Sequence, residues 1–176
     1  MGAGILLLTS LGAVADTQEE RLINVGLRVF PSVIAASENL GNLPAGNTLE
    51  VHIIFQDNEL YARQLAQRLQ HLDNIKGHPL RTTIVSVREL RQNTYPPPFA
   101  LFIAQRTGEA LDTIIDYSLR HNVISFSPFE GDVEAGILAG IAVSDRILPY
   151  INGQTLSAMP YGMQPFFLKV AEIYVR

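Results

Sequence analysis

Val123-Ile124-Ser125-Phe126-Ser127-Pro128-Phe129-Glu130-Gly131-Asp132 opens the stretch that decides the fold. It is a short apolar run closed by a polar break. The following stretch, residues 135–143, carries no polar side chain and has glycines at 136 and 140, which are unfavourable inside a helix. It reads as an outer strand of a sheet. Ser144-Asp145 marks a turn, and residues 146–151 return antiparallel as a hairpin. Asn152 is placed to cap a short helix that Pro160 ends. Gln164-Pro165 opens a last helix, on which Phe166, Phe167, Val170, Ala171 and Tyr174 pack back.

Working outward, the chain before residue 123 alternates strands and helices. Leu49-Glu50-Val51-His52-Ile53-Ile54-Phe55 is short, β-branched and apolar, a central strand. Asp57 is placed to cap the next helix, whose stripe is Ala62, Leu65, Ala66 and Leu69. Gly77-His78-Pro79 breaks the chain before a second strand over 80–87. Pro96-Pro97-Pro98 is a stiff connector feeding a third strand over 99–104. A helix then runs from Thr107 or Gly108 to His121, with Leu111, Ile114, Ile115 and Leu119 inward. Ahead of all this, Asp16-Thr17-Gln18-Glu19-Glu20 suits a helix start, and Leu22, Ile23, Gly26, Leu27 and Phe30 share one face. Pro31 is expected to kink or end that helix. The fold class is α/β: one domain, a mostly parallel central sheet flanked by helices, a C-terminal antiparallel hairpin and closing helices.

Composition narrows the function classes. A net charge of −4 argues against a nucleic-acid surface, and the absence of cysteine removes disulfides and thiolate metal sites. Residues 1–15 resemble a signal peptide: an apolar core through Leu11, then Ala13-Val14-Ala15, a small-x-small pattern before Asp16. The run is too short to span a bilayer, which takes about 20 apolar residues. No Lys or Arg precedes it, so the leader reads as truncated at its start. A buried N-terminal helix is the competing reading, weakened by the glycines. The expectation is an exported chain whose mature domain covers 16–176.

Ligands of open α/β sheets bind beyond the carboxyl ends of the parallel strands. The loops there are Gln56-Asp57-Asn58, Arg88-Glu89, Gln105-Arg106-Thr107-Gly108 and Ser127-Pro128-Phe129-Glu130, the second leading to a connector and not a helix. Arg106, Thr107 and Gly108 put a cation, a hydroxyl and a glycine at a helix start, suited to a small anionic ligand, with Asp57 and Ser127 as neighbours. Plain helix capping by Thr107 beside a solvated Arg106 explains the same residues. His52, His71, His78 and His121 lack the spacing of a helical metal site, so neither metal nor cofactor is expected. Asp132 and Glu134 read as a solvated tip between strands. No dinucleotide fingerprint, P-loop or nucleophile elbow is present, so nothing points to an enzyme.

The order of elements, with Val29-Phe30-Pro31-Ser32-Val33 ending the first helix, the 51–55 strand, Gly77-His78-Pro79-Leu80 and Leu101-Phe102-Ile103, resembles the YfiR-like family of exported bacterial regulatory proteins. Arg146-Ile147-Leu148-Pro149-Tyr150-Ile151-Asn152 and Pro165-Phe166-Phe167-Leu168-Lys169-Val170-Ala171 complete it. That closing pattern is also similar to one lobe of transporter solute-binding proteins. Two features depart from the family: its best-known members form disulfides, and Pro149 stands where a charged or polar strand residue is usual. Redox sensing is therefore excluded by composition. The resemblance implies a periplasmic, non-enzymatic regulator that binds the periplasmic part of a membrane signalling protein, typically a diguanylate cyclase or else a sensor kinase. No interface residue carries over by motif. The alternative is a periplasmic binder of a small anion or amino acid. An outer strand at 135–143 needs cover, so partner docking or a homodimer is expected there or on the last helix, through Phe166, Phe167 and Tyr174.

Overall fold

The run Leu49-Glu50-Val51-His52-Ile53-Ile54-Phe55 forms β1 (Leu49–Phe55), an interior strand of an eight-stranded sheet in the computed structural model, which describes residues 10–175. The other elements, in chain order, are α1 (Ser10–Ala36), α2 (Glu59–Gln70), β2 (Asn74–Ile75), β3 (His78–Ser86), α3 (Val87–Arg91), β4 (Ala100–Ile103), α4 (Leu111–His121), β5 (Ile124–Ser127), α5 (Asp132–Ala135), β6 (Ala139–Val143), β7 (Ile147–Asn152), α6 (Gly153–Ala158), α7 (Pro165–Val170) and β8 (Glu172–Tyr174). The sheet order is β2-β3-β1-β4-β5-β6-β7-β8. The strands β3, β1, β4, β5 and β6 are parallel, β7 is antiparallel to β6, and β8 runs parallel to β7. The mixed α/β architecture and the β6–β7 hairpin are those expected from the sequence.

Taken in chain order, the five parallel strands stand in the doubly wound order 2-1-3-4-5, which reverses direction between β1 and β4. Right-handed crossovers then put α2 on one face and α4 on the other. α1 joins α2, tied by Arg68 donating to Asn24 Oδ1 at 2.6 Å. α3 lies beside α4, with Arg91 donating to Thr113 Oγ1 at 3.2 Å.

The core is centred where α1 meets β4 and β5. Phe30 lies 5.3 Å from Phe102 and 5.2 Å from Phe126, ring centre to ring centre, and all three are fully buried. Gly26 permits that approach: a Cβ there would stand 2.8 Å from Pro128 Cβ. Pro31 does not end α1, because Val33 and Ile34 beyond it are also fully buried. Burying such side chains stabilises by about 1.5–3 kcal/mol each, which offsets the roughly 3 kcal/mol a helix-interior proline costs.

Several boundaries differ from the sequence reading. α1 starts by Ser10 and passes through Asp16 as helix, so Asp16 does not begin it; residues 1–9 of the expected leader lie outside the described residues. Asn58, not Asp57, caps α2, its Oδ1 accepting from Tyr61 N–H at 3.1 Å. Lys76 and Gly77, both at positive φ, make the tight turn that pairs β2 with β3. Residues 88–89 belong to a helical turn closed by a capping box between Ser86 and Glu89. Leu119 faces out.

The largest corrections fall in the closing segment. The 135–143 stretch is not one outer strand: its start completes α5, and β6 has neighbours on both sides. Gly140 is required there, because a Cβ would lie 2.6 Å from the Ser127 carbonyl oxygen. The last helix stops at Val170, and Tyr174 belongs to β8, the sheet edge.

Candidate functional site

The order reversal between β1 and β4 opens a crevice of about 330 Å³ beyond their carboxyl ends. Gln105, just after β4, joins the two loops across it. Its Nε2 donates to Asp57 Oδ1, and its Oε1 accepts the Asn58 N–H at 3.0 Å. α1 covers the crevice with Ile23, Glu19 and Glu20, while Tyr61 of α2 forms the side. Burial raises the Tyr61 phenol above its ordinary range, with the charge of Glu20 adding to it. Three carboxylates, from Glu19, Glu20 and Asp57, therefore face this space. No group of three or more His, Asp or Glu side chains among the described residues is close enough to hold a metal ion.

Arg106 stands next to the crevice and is engaged. Its Nε donates to Glu19 Oε1 at 2.9 Å, its Nη1 to the Glu130 carbonyl at 3.5 Å, and its guanidinium carbon lies 5.2 Å from the Phe129 ring centre. Both charged partners are about half exposed, which limits the pair to roughly 0–1 kcal/mol. Thr107 is only 4% exposed and caps no helix; its hydroxyl has no hydrogen-bond partner among the described residues. Gly108, at φ +51°, leads a 3-10 turn into α4. Arg106, Thr107 and Gly108 thus adjoin the crevice without lining it, whereas Asp57 does line it.

Ser127 is fully buried and serves the loop after β5. Its Oγ donates to Asp132 Oδ2 at 2.5 Å and accepts the Phe129 N–H at 3.2 Å. Asp132 is therefore no solvated tip. Burial pushes its carboxyl above the usual range, while the Ser127 hydrogen bond and the Arg106 charge pull it down. Glu134, two residues further on, does face solvent and accepts a hydrogen bond from the Tyr150 hydroxyl at 3.1 Å.

A second hollow, of about 440 Å³, lies beside the first at the carboxyl end of β6. Leu22, Phe129, Ile141 and Val143 supply its apolar surface, and Glu130, Glu134 and Glu172 its rim. Tyr150 stands between them, with Tyr174 edge-on at 6.4 Å. Of the expected partner-facing residues, Phe166 is 78% exposed, Phe167 is buried, and Tyr174 is half-buried on β8. A larger hollow of about 520 Å³ lies between α2 and β3, away from these loops.

The loop residues were legible by strand order alone. Glu19, Glu20 and Ile23 were not, since nothing local says that α1, far off in sequence, covers the crevice. No helix among the described residues is long and apolar enough to cross a membrane.

No family model and no curated protein sequence matches this chain. Among solved structures it is similar to an ABC domain in complex with L-Trp from Streptococcus pneumonia, with a TM-score of 0.61 and 11% identity. The match covers 86% of this chain but 60% of that one. At this identity the likeness concerns the fold.

Proposed function

We propose that this chain is a non-enzymatic regulatory module, exported to the periplasm, that binds the periplasmic part of a membrane-bound signalling enzyme of the diguanylate cyclase kind and restrains it. The observation that carries this reading is the uncovered apolar surface of the closing segment. Phe166 is 78% and Val143 59% exposed, and Ile147, Val170, Ile173 and Val175 are exposed with them. Leu60, Leu72, Tyr95 and Leu119 are exposed elsewhere, but this segment holds the larger share, and exposed apolar side chains that adjoin one another mark protein contacts. The leader pattern and the YfiR-like order of elements support the same reading. The test is capture from inner membranes followed by a cyclase assay. The expected result is recovery of a membrane cyclase whose turnover falls when the purified chain is added. Capture of no signalling enzyme, or an unchanged turnover, counts against it.

A small-ligand binder is the second reading. The crevice at the β1–β4 reversal and the fold shared with an L-Trp-bound domain favour it. A thermal-shift screen of amino acids and anions tests it, since a ligand at about 100 times its Kd stabilises by roughly 2.7 kcal/mol. If no compound raises the melting temperature, or if every hit survives Asp57→Asn and Arg106→Ala unchanged, this site is not used.

A further inference from the structure

The hollow at the end of β6 combines two features that point to one kind of occupant. Its lining is mixed, with polar surface in slight excess, and the apolar part comes from Leu22 of α1 and from Ile141 and Val143 of β6. Its rim is acidic: Glu130 follows β5, Glu134 is on α5 and Glu172 is on β8, and all three are exposed. No Lys or Arg lines it among the described residues. Arg106, of the loop after β4, is paired with Glu19 and reaches the edge of the hollow through the Phe129 ring and the Glu130 carbonyl, so it offsets part of the rim's negative charge.

Local backbone geometry fixes this arrangement. Parallel pairing sets Glu172 beside Tyr150, and the Tyr150 hydroxyl reaches Glu134 on the short helix packed over Gly140. Desolvation first, then the Glu134 hydrogen bond and charge, then Glu172 push the Tyr150 phenol up to about 12. Three carboxylates around a hollow with exposed Val143 and half-buried Leu22 and Ile141 repel an anionic lipid surface, and repel the same face of a second copy.

We infer that this groove docks a basic amphipathic segment of a partner protein, with apolar side chains on Leu22, Ile141 and Val143 and Lys or Arg against Glu130, Glu134 and Glu172. The inference rests on the reading of the chain as a protein-binding module and adds the face used and the chemistry of the segment.

The test uses the full chain and two labelled synthetic helical peptides of one pattern, Leu/Lys and Leu/Glu, followed by fluorescence anisotropy. The expected result is binding of the Leu/Lys peptide at least about tenfold tighter, which corresponds to roughly 1.4 kcal/mol. That preference should weaken as ionic strength rises. The triple variant Glu130→Gln/Glu134→Gln/Glu172→Gln should lose it, and Val143→Ser should weaken it. A control with the same change in net charge, Glu59→Gln/Glu109→Gln/Asp116→Asn, should keep it, and melting curves establish that each variant is folded. Equal binding of the two peptides, or equal loss in triple variant and control, overturns the inference. So does a concentration-dependent dimer that Val143→Ser abolishes, because the occupant is then a second copy. Membrane capture separates this inference from the broader reading. A cyclase captured equally well by the triple variant leaves the reading standing and removes the groove from it. Charge-selective peptide binding with no cyclase captured does the reverse.

Discussion

The parallel half of the sheet and its closing segment differ in how completely they bury what they carry. In β1, β4 and β5 nearly every side chain is inaccessible, and the polar groups at the strand ends bond one another: Gln105 to Asp57 and Asn58, Ser127 to Asp132. In β7, α7 and β8, apolar residues remain exposed along the sheet edge. Two helices cover each face of the parallel half, whereas three short strands and short helices finish the chain. The same aromatic residue therefore has opposite meanings in the two regions: Phe30 holds the fold together, and Phe166 is available to something else.

Substituting those two residues tests the contrast with the largest effect. Phe30→Ala should cost about 3–5 kcal/mol in urea unfolding, through the cavity left between Phe102 and Phe126. Phe166→Ala should stay within about 0.5 kcal/mol, as an exposed position does. Comparable losses at the two sites would erase the distinction.

The next effect belongs to pH and to the parallel half. His52 on β1 is 2% exposed, its Nδ1 has no hydrogen-bond partner among the described residues, and burial holds its pKa at about 4 against an ordinary 6.5. Between those values the unfolded chain binds the proton and the folded chain does not. Stability therefore falls as pH drops from 6.5 through 4, by about 3 kcal/mol for this one group. The stability difference between wild type and His52→Gln should move by that amount across the window. A constant difference would mean that His52 is not held neutral by the sheet.

Smaller effects probe the junctions. Asn152 ends β7, caps α6 through Thr155 N–H at 2.8 Å and donates to the Val133 carbonyl at 2.7 Å. Asn152→Ala should cost about 2 kcal/mol, because one cap and one buried partner are lost together. Arg106→Ala should cost less than about 1 kcal/mol, since its ion pair with Glu19 is half exposed. A larger loss would show that stacking on Phe129 adds to the ion pair that ties Arg106 to α1.

The parallel half was largely legible because long β-branched runs and helical stripes repeat over enough residues to be recognised. Asn152 as a cap and the 144–145 turn were legible for a local reason, the chemistry of single side chains. α5 and β8 were not, because elements of three or four residues carry no period. Phe166, Val170 and Tyr174 fall four apart and mimic a continuous helix, although the chain extends at Ala171. The capping box of Ser86 and Glu89 was in plain sight, but Val87 also continued the alternation of the strand before it. At the candidate site, strand order located the loops. The carboxylates that α1 adds depend on tertiary packing alone.

Hydrogen exchange on the chain, alone and with the captured membrane partner, tests most directly whether the closing segment is the contact region. The expected result is new protection of amides in 141–150 and 166–175, with β1 and β4 equally protected in both states. Protection confined to the loops at 56–58 and 105–108, with 141–150 and 166–175 unchanged, contradicts it.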